Sequence, residues 1–142
     1  MTSRDKIKDM IKGHEGYKGE VYLDTENVAT CGWGHALHVG SKIPIEVSEI
    51  LFKYDFKRAE NAATAIELDN GLNLNEVRHA VLTDMAFNMG YAGVCKFKKF
   101  IAAMSVEDWD LAAAEMLDSK WATQVGVRAK YLATLMKKGV WI

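Results

Sequence analysis

Apolar residues recur along most of this chain at the three- and four-residue spacing of helices rather than the alternation of strands. Ser3 is placed to cap a first helix whose Ile7, Met10 and Ile11 share one face, and Gly13 is placed to end it. Glu15 then falls just past that helix. From there to about Gly40 the pattern changes: glycine, aromatic and β-branched residues crowd together and predict a small antiparallel sheet. Helical spacing returns after Pro44, the sole proline, with Val47, Ile50, Leu51, Tyr54, Ala59, Ala62, Ala63 and Ile66, until Asn70-Gly71 breaks it.

Asn73 with Glu76 suggests a cap for a helix carrying Leu74, Val77, Val81 and Met85, closed by Gly90. Three more helices are expected: near 94 to 104, from Ser105 with Asp108 three residues on, and near 126 to 138 before Gly139. Trp109, Met116, Trp121 and Trp141 fall on apolar faces and read as core. The pattern predicts an α+β chain, mainly α, with residues 14–45 as a sheet lobe. Residues 1–13 and 68–142 would form a helical lobe, and 46–67 a connecting helix.

Composition narrows this picture. With 142 residues and 49% apolar content the chain can bury a core without staples. No run is long enough for a membrane span, and the residues from Met1 to Lys6 lack the apolar stretch of a signal peptide. No export signal and no stable membrane association are therefore expected. Cys31 and Cys95 match no metal or redox spacing and read as reduced packing residues. The net charge of −1 conceals an asymmetry, since residues 1–95 sum to −4 and residues 96–142 to +3. Lys96, Lys98, Lys99, Arg128, Lys130, Lys137 and Lys138 either attract an anionic polymer such as a bacterial wall or simply solvate helices. No nucleic-acid-binding motif accompanies them, so nucleic acid is not an expected partner.

The stretch from Glu15 to His35 carries the candidate chemistry. Eight residues separate Glu15 from Asp24, and five separate Asp24 from Thr30. A strand over 17–23 and a turn over 25–29 would return Thr30 to the side of Asp24, with Glu15 at the strand's far entrance. Two acids so placed suit glycoside hydrolysis, where one carboxyl protonates the leaving oxygen and a second group handles water or the sugar cation. Taken singly the residues are unremarkable: a solvated glutamate, a turn-capping aspartate and a cross-strand threonine. His14 and His35 lie nearby, with no Ser or Cys elbow and no metal-ligand cluster beside them.

The series Glu15, Asp24, Thr30, followed at once by Cys31-Gly32-Trp33-Gly34-His35, closely resembles the lysozymes of T-even bacteriophages and related endolysins. Similarity extends through Leu51-Phe52-Lys53-Tyr54-Asp55, Phe87-Asn88-Met89-Gly90, Trp109, Trp121 and Trp141, nearly the whole chain. The resemblance implies a two-lobed lysozyme-like fold, Glu15 as general acid, and Asp24 with Thr30 holding a water on the sugar's far face. Inversion would follow, with carboxyls roughly 6.5 to 9.5 Å apart. It also implies substrate contacts at Ala36, Phe87 and Asn88. For Asn88, a bond to an acetamido group and a solvated helix terminus stand as equal readings. His35 and Asp55 match a structural ion pair, and Arg128 an arginine near the acid, where a cation would oppose proton donation.

No cofactor and no metal are implied. The implied substrate is the β-1,4 bond between N-acetylmuramic acid and N-acetylglucosamine in bacterial peptidoglycan, and the implied role is host lysis by a monomer. Such an enzyme would wait in the host bacterial cytoplasm until a holin pore admits it to the wall; a domain of a tail-associated wall hydrolase is the other setting. The rivals are a lytic transglycosylase and a non-catalytic wall-binding module, against which Asp24 and Thr30 speak. Two departures touch the substrate side: a shortened segment between His35 and the long helix, and Phe100 and Glu115 where small or neutral polar residues would be expected to touch substrate.

Overall fold

The computed structural model describes all 142 residues and divides the chain into two compact units, Met1–Ile45 and Glu46–Ile142. In the first, α1 spans Ser3–Glu15. Its cap is Thr2 rather than Ser3: the Thr2 hydroxyl accepts from the Asp5 N–H at 3.2 Å while the Asp5 carboxylate accepts from the Thr2 N–H at 3.0 Å. The Thr2 hydroxyl also donates to the Asp5 carboxylate at 2.7 Å, and this bond, followed by that from the Thr2 N–H, holds Asp5 below the usual carboxylate range by favouring its charged form. Gly13 does not end the helix. Gly16 does, at φ 70°, its N–H donating to Lys12 O at 2.9 Å, so Glu15 is the helix's last residue.

The sheet is three antiparallel strands in chain order, β1 (Lys18–Leu23), β2 (Ala29–Gly32) and β3 (His35–Ala36). Tyr22 pairs with Thr30, Leu23 with Ala29, and Thr30 with Ala36. Asn27, at φ 60°, turns the chain between β1 and β2, a conformation asparagine tolerates.

The second unit is helical: α2 (Ile45–Asp69), α3 (Glu76–Cys95), α4 (Lys98–Ser105), α5 (Trp109–Leu117), α6 (Lys120–Val125) and α7 (Val127–Lys138), the first residue of α2 closing the preceding unit. The Asn70 side chain donates to Ile66 O at the end of α2, as the Asn-Gly break requires. Asn75, not Asn73, caps α3, accepting from the Arg78 N–H at 2.9 Å. Gly90, at φ 73°, kinks α3 without closing it. Ser105 ends α4, and Asp108 caps α5 instead, accepting from the Leu111 N–H at 3.0 Å. α7 stops at Gly139 in the left-handed region, as its sequence indicates.

Every buried apolar side chain belongs to this unit, among them Ile66 of α2, Leu82 and Met85 of α3, Phe100 and Met104 of α4, Met116 of α5, and Leu135 and Met136 of α7. Trp121 is buried as expected, whereas Trp109 is half-buried beneath the Arg78 guanidinium at 4.0 Å, a cation–π contact. Trp141 is not core: it follows α7 on an irregular tail and is 59% exposed. Cys31 and Cys95 are both free and half-buried.

Candidate active site

Glu15 projects from the end of α1 toward the β2–β3 turn. A Cβ placed on Gly34 would lie 2.6 Å from Glu15 Oε2, so the carboxylate rests against the bare α-carbon, and Gly34 also adopts φ 75°. Only glycine meets both demands, the steric one and the conformational one. This contact was not evident in the sequence, although the glycine two residues after Gly32 was its visible mark.

Asp24 closes the β1–β2 turn. Its Oδ1 accepts from the N–H groups of Glu26 (2.8 Å) and Val28 (2.9 Å), an Asx arrangement that fixes the carboxyl plane. Thr30 is nearly covered, 4% exposed, and its hydroxyl donates to Val28 O at 2.8 Å, the same carbonyl that accepts the Asp24 N–H at 3.0 Å. The returning strand thus brings Thr30 to the neighbourhood of Asp24 through a shared residue, Val28, and not as its direct cross-strand partner. The turn's register sets Thr30 opposite Tyr22, and the Val28 peptide joins the two side chains. Chemically, Asp24 keeps Oδ2 outside these bonds, and Thr30, its proton engaged, presents an acceptor lone pair. Ala36 lies across from Thr30 on β3, and His35 across from Cys31.

The remaining predicted residues lie in the helical unit. Asn88 is exposed on α3, and its amide oxygen accepts from the Trp121 indole N–H at 2.8 Å, which leaves the amide N–H groups as its donors toward any ligand. Phe87 packs 5.6 Å from Phe52, centroid to centroid, at the wall of a cavity of about 590 Å³ shared with Arg128, Tyr131 and Trp141. Arg128 grips Asp84 Oδ1 through Nε (2.8 Å) and Nη2 (2.7 Å). Asp55 accepts from Arg58, one turn on in α2, at 3.3 Å. Phe100 is 1% exposed, packs against Phe97 in the core and also borders the cavity that Glu115 lines. Glu115 lines a second cavity, of about 550 Å³, with Lys96, Lys98, Lys99 and Trp121. Glu15, Asp24 and Thr30 line neither cavity.

A mainly helical α+β chain that fixes an acid at a helix end and a carboxylate with a hydroxyl at one sheet turn has the architecture of a lysozyme. Residues 12–138 match the family model described as Phage lysozyme, and the chain belongs to that family. It is similar to Probable T4-type lysozyme 2 of Dictyostelium discoideum, 32% identical with 94% of each chain covered, and to Probable T4-type lysozyme 1 of the same organism, 28% identical with the same coverage. It is also similar to the Pre-baseplate central spike protein Gp5 of Enterobacteria phage T4, 26% identical over 94% of this chain and 28% of that one. The first alignment runs over 162 positions, more than this chain has residues, so that relative carries insertions the present chain lacks. The protein is thus a glycosidase of the lysozyme type, and its substrate is peptidoglycan.

Proposed function

We propose that Glu15, Asp24 and Thr30 cleave the β-1,4 bond between N-acetylmuramic acid and N-acetylglucosamine with inversion. The observation that carries this reading is the shared grip on Val28. A water can donate one hydrogen to Thr30 Oγ1 and the other to Asp24 Oδ2, which leaves its lone pairs directed outward at an anomeric carbon. Glu15 supplies the proton to the departing oxygen; Asp24 accepts one from the attacking water and supports the oxocarbenium-like transition state. Ala36, Phe87 and Asn88 serve as glycan contacts, Asn88 through its amide N–H groups. The chain acts as a monomer without cofactor, and its biological role is lysis of the host, reached through a holin pore.

Mass spectrometry of muropeptides after digestion, with proton NMR of the first products, tests the chemistry. Reducing ends appearing first as the α-anomer are expected; anhydro-muropeptides as the main product would transfer the reading to a transglycosylase. The likeness to a central spike protein favours a second setting, in which this domain opens the wall as part of a tail assembly.

A further inference from the structure

Three side chains beside Glu15 remain without a role: Lys12, Tyr17 and Trp33. Lys12 stands one helical turn before Glu15, and its ammonium lies 4.3 Å from the Trp33 ring centroid. Tyr17 leans on the same indole, centroids 4.9 Å apart at 47°. Its hydroxyl end arches over Gly19, where a Cβ would meet it at 3.3 Å. Trp33 is joined directly to Gly34, the residue on which the Glu15 carboxylate rests.

Packing does not account for this cluster. Tyr17 is 65% and Trp33 47% exposed, and no apolar side chain of Met1–Ile45 is buried, so there is no core for them to complete. Nor does ion pairing account for Lys12, which takes part in none of the five ion pairs of the molecule. An aromatic face orients an ammonium without neutralising it, so the charge stays available to an anion.

We propose that Tyr17 and Trp33 form a stacking platform for a pyranose of the glycan, and that Lys12 receives a carboxylate carried by its muramic residue, on the lactyl group or on the peptide extending from it. The C–H face of a pyranose is apolar and slightly positive and so complements the negative face of an aromatic ring. An ammonium three residues from the proposed acid would favour placing the acidic sugar of the repeat over the platform. The inference rests on the role of Glu15 in setting where the glycan lies, and it assigns these three residues to positioning and specificity, not to proton transfer.

The test is calorimetric binding in the Glu15→Gln background, with three probes: a peptide-free disaccharide-repeat oligomer of the wall, the same oligomer with its peptides, and a chitin oligosaccharide that has no carboxylate. Tyr17→Ala and Trp33→Ala should each weaken all three by about tenfold, and Trp33→Phe should restore most of the loss. Lys12→Gln should weaken one or both wall oligomers about threefold and leave the chitin oligomer unchanged. Where Trp33→Ala fails to fold, Tyr17→Ala and Trp33→Phe decide. Unchanged affinity in Tyr17→Ala overturns the platform; equal effects of Lys12→Gln on all three probes, or none on either wall oligomer, overturn the carboxylate contact. Residual hydrolysis by Glu15→Gln would count against the acid assignment alone, because binding reads the platform separately.

Discussion

The two units of this lysozyme are held together by different forces. In Met1–Ile45 the only buried side chain is Thr30, and order comes from local polar contacts: the Thr2–Asp5 box, Asp24 over its turn, Thr30 on Val28, and Ser41 accepting from the His38 N–H. Such bonds contribute on the order of 1 kcal/mol each. In Glu46–Ile142 the side chains of six helices close a continuous apolar core. The proposed chemistry thus sits on hydrogen-bonded turns, where polar geometry can be tuned without disturbing a packed interior. Activity and stability should consequently respond to different substitutions.

The sharpest separation is expected at Glu15. Glu15→Gln should lower wall clearance about a thousandfold, roughly 4 kcal/mol of transition-state stabilisation, because an amide donates no comparable proton. Its melting temperature should hardly move, since the carboxylate is exposed and joins no core. Turbidity assays beside thermal melts check both halves, and retention of a tenth of the activity would refute the assignment. The converse substitution is Leu82→Ala in the helical unit, where the side chain is 0% exposed. A cavity there should cost about 2–5 kcal/mol in urea unfolding while clearance per folded molecule persists. A loss below 1 kcal/mol would mean that the core relaxes around the vacancy far more readily than close packing allows.

What could be read from the sequence follows the same division. Long periodic segments were legible as helices, as in the run from Val47 to Ile66, although only Ala59, Ala63 and Ile66 of that run are buried and its first half stays exposed; Gly139 marked its helix end correctly. Caps were misplaced, with Thr2 replacing Ser3 and Asn75 replacing Asn73, because residues able to cap stand close together and only the side-chain geometry chooses. Glu15, Asp24 and Thr30 were legible as a spaced motif, but their manner of support was not. The Val28 joint and the Gly34 contact depend on strand register and a positive φ, which residue identity alone leaves open. The pairing of Arg128 with Asp84 spans 44 positions and leaves no local pattern to read.

A smaller loss should follow Gly139→Ala. Gly139 takes φ 67°, and a Cβ there would lie 2.7 Å from the Arg78 guanidinium, which donates to Met136 O at 2.8 Å and Lys137 O at 3.1 Å while covering Trp109. Strain in the left-handed region costs about 1–3 kcal/mol, and displacing Arg78 from the carbonyls that end α7 would add to it. Urea unfolding beside Arg78→Met separates the two contributions: a double variant no worse than the worse single variant would show that both act through this clasp.

The smallest effect should appear at a surface bond of the helical unit, where a polar contact of the kind that orders the first unit can be observed without a core to obscure it. The Tyr91 hydroxyl donates to Asp69 Oδ2 at 2.7 Å, tying the kinked end of α3 to the end of α2. Ionisation would remove the donated proton and set a phenolate against a carboxylate. The Asp69 bond, followed by a bond to Cys95 and the charge of Asp69, pushes the Tyr91 pKa from 10.0 up to about 12. Because the folded value is raised, the contribution to stability is complete below the unfolded pKa near ~10 and disappears as pH rises through the folded one. Absorbance titration of tyrosinate should show one of the five tyrosines ionising late, and Tyr91→Phe should remove that late step alone. Asp69→Asn should bring it only part of the way back toward ~10, since an amide oxygen still accepts the same proton but adds no negative charge. If Tyr91→Phe left the late step in place, the hydrogen bond between α2 and α3 would not persist in solution, and the polar contacts of the helical unit would carry even less of its order than those of the first.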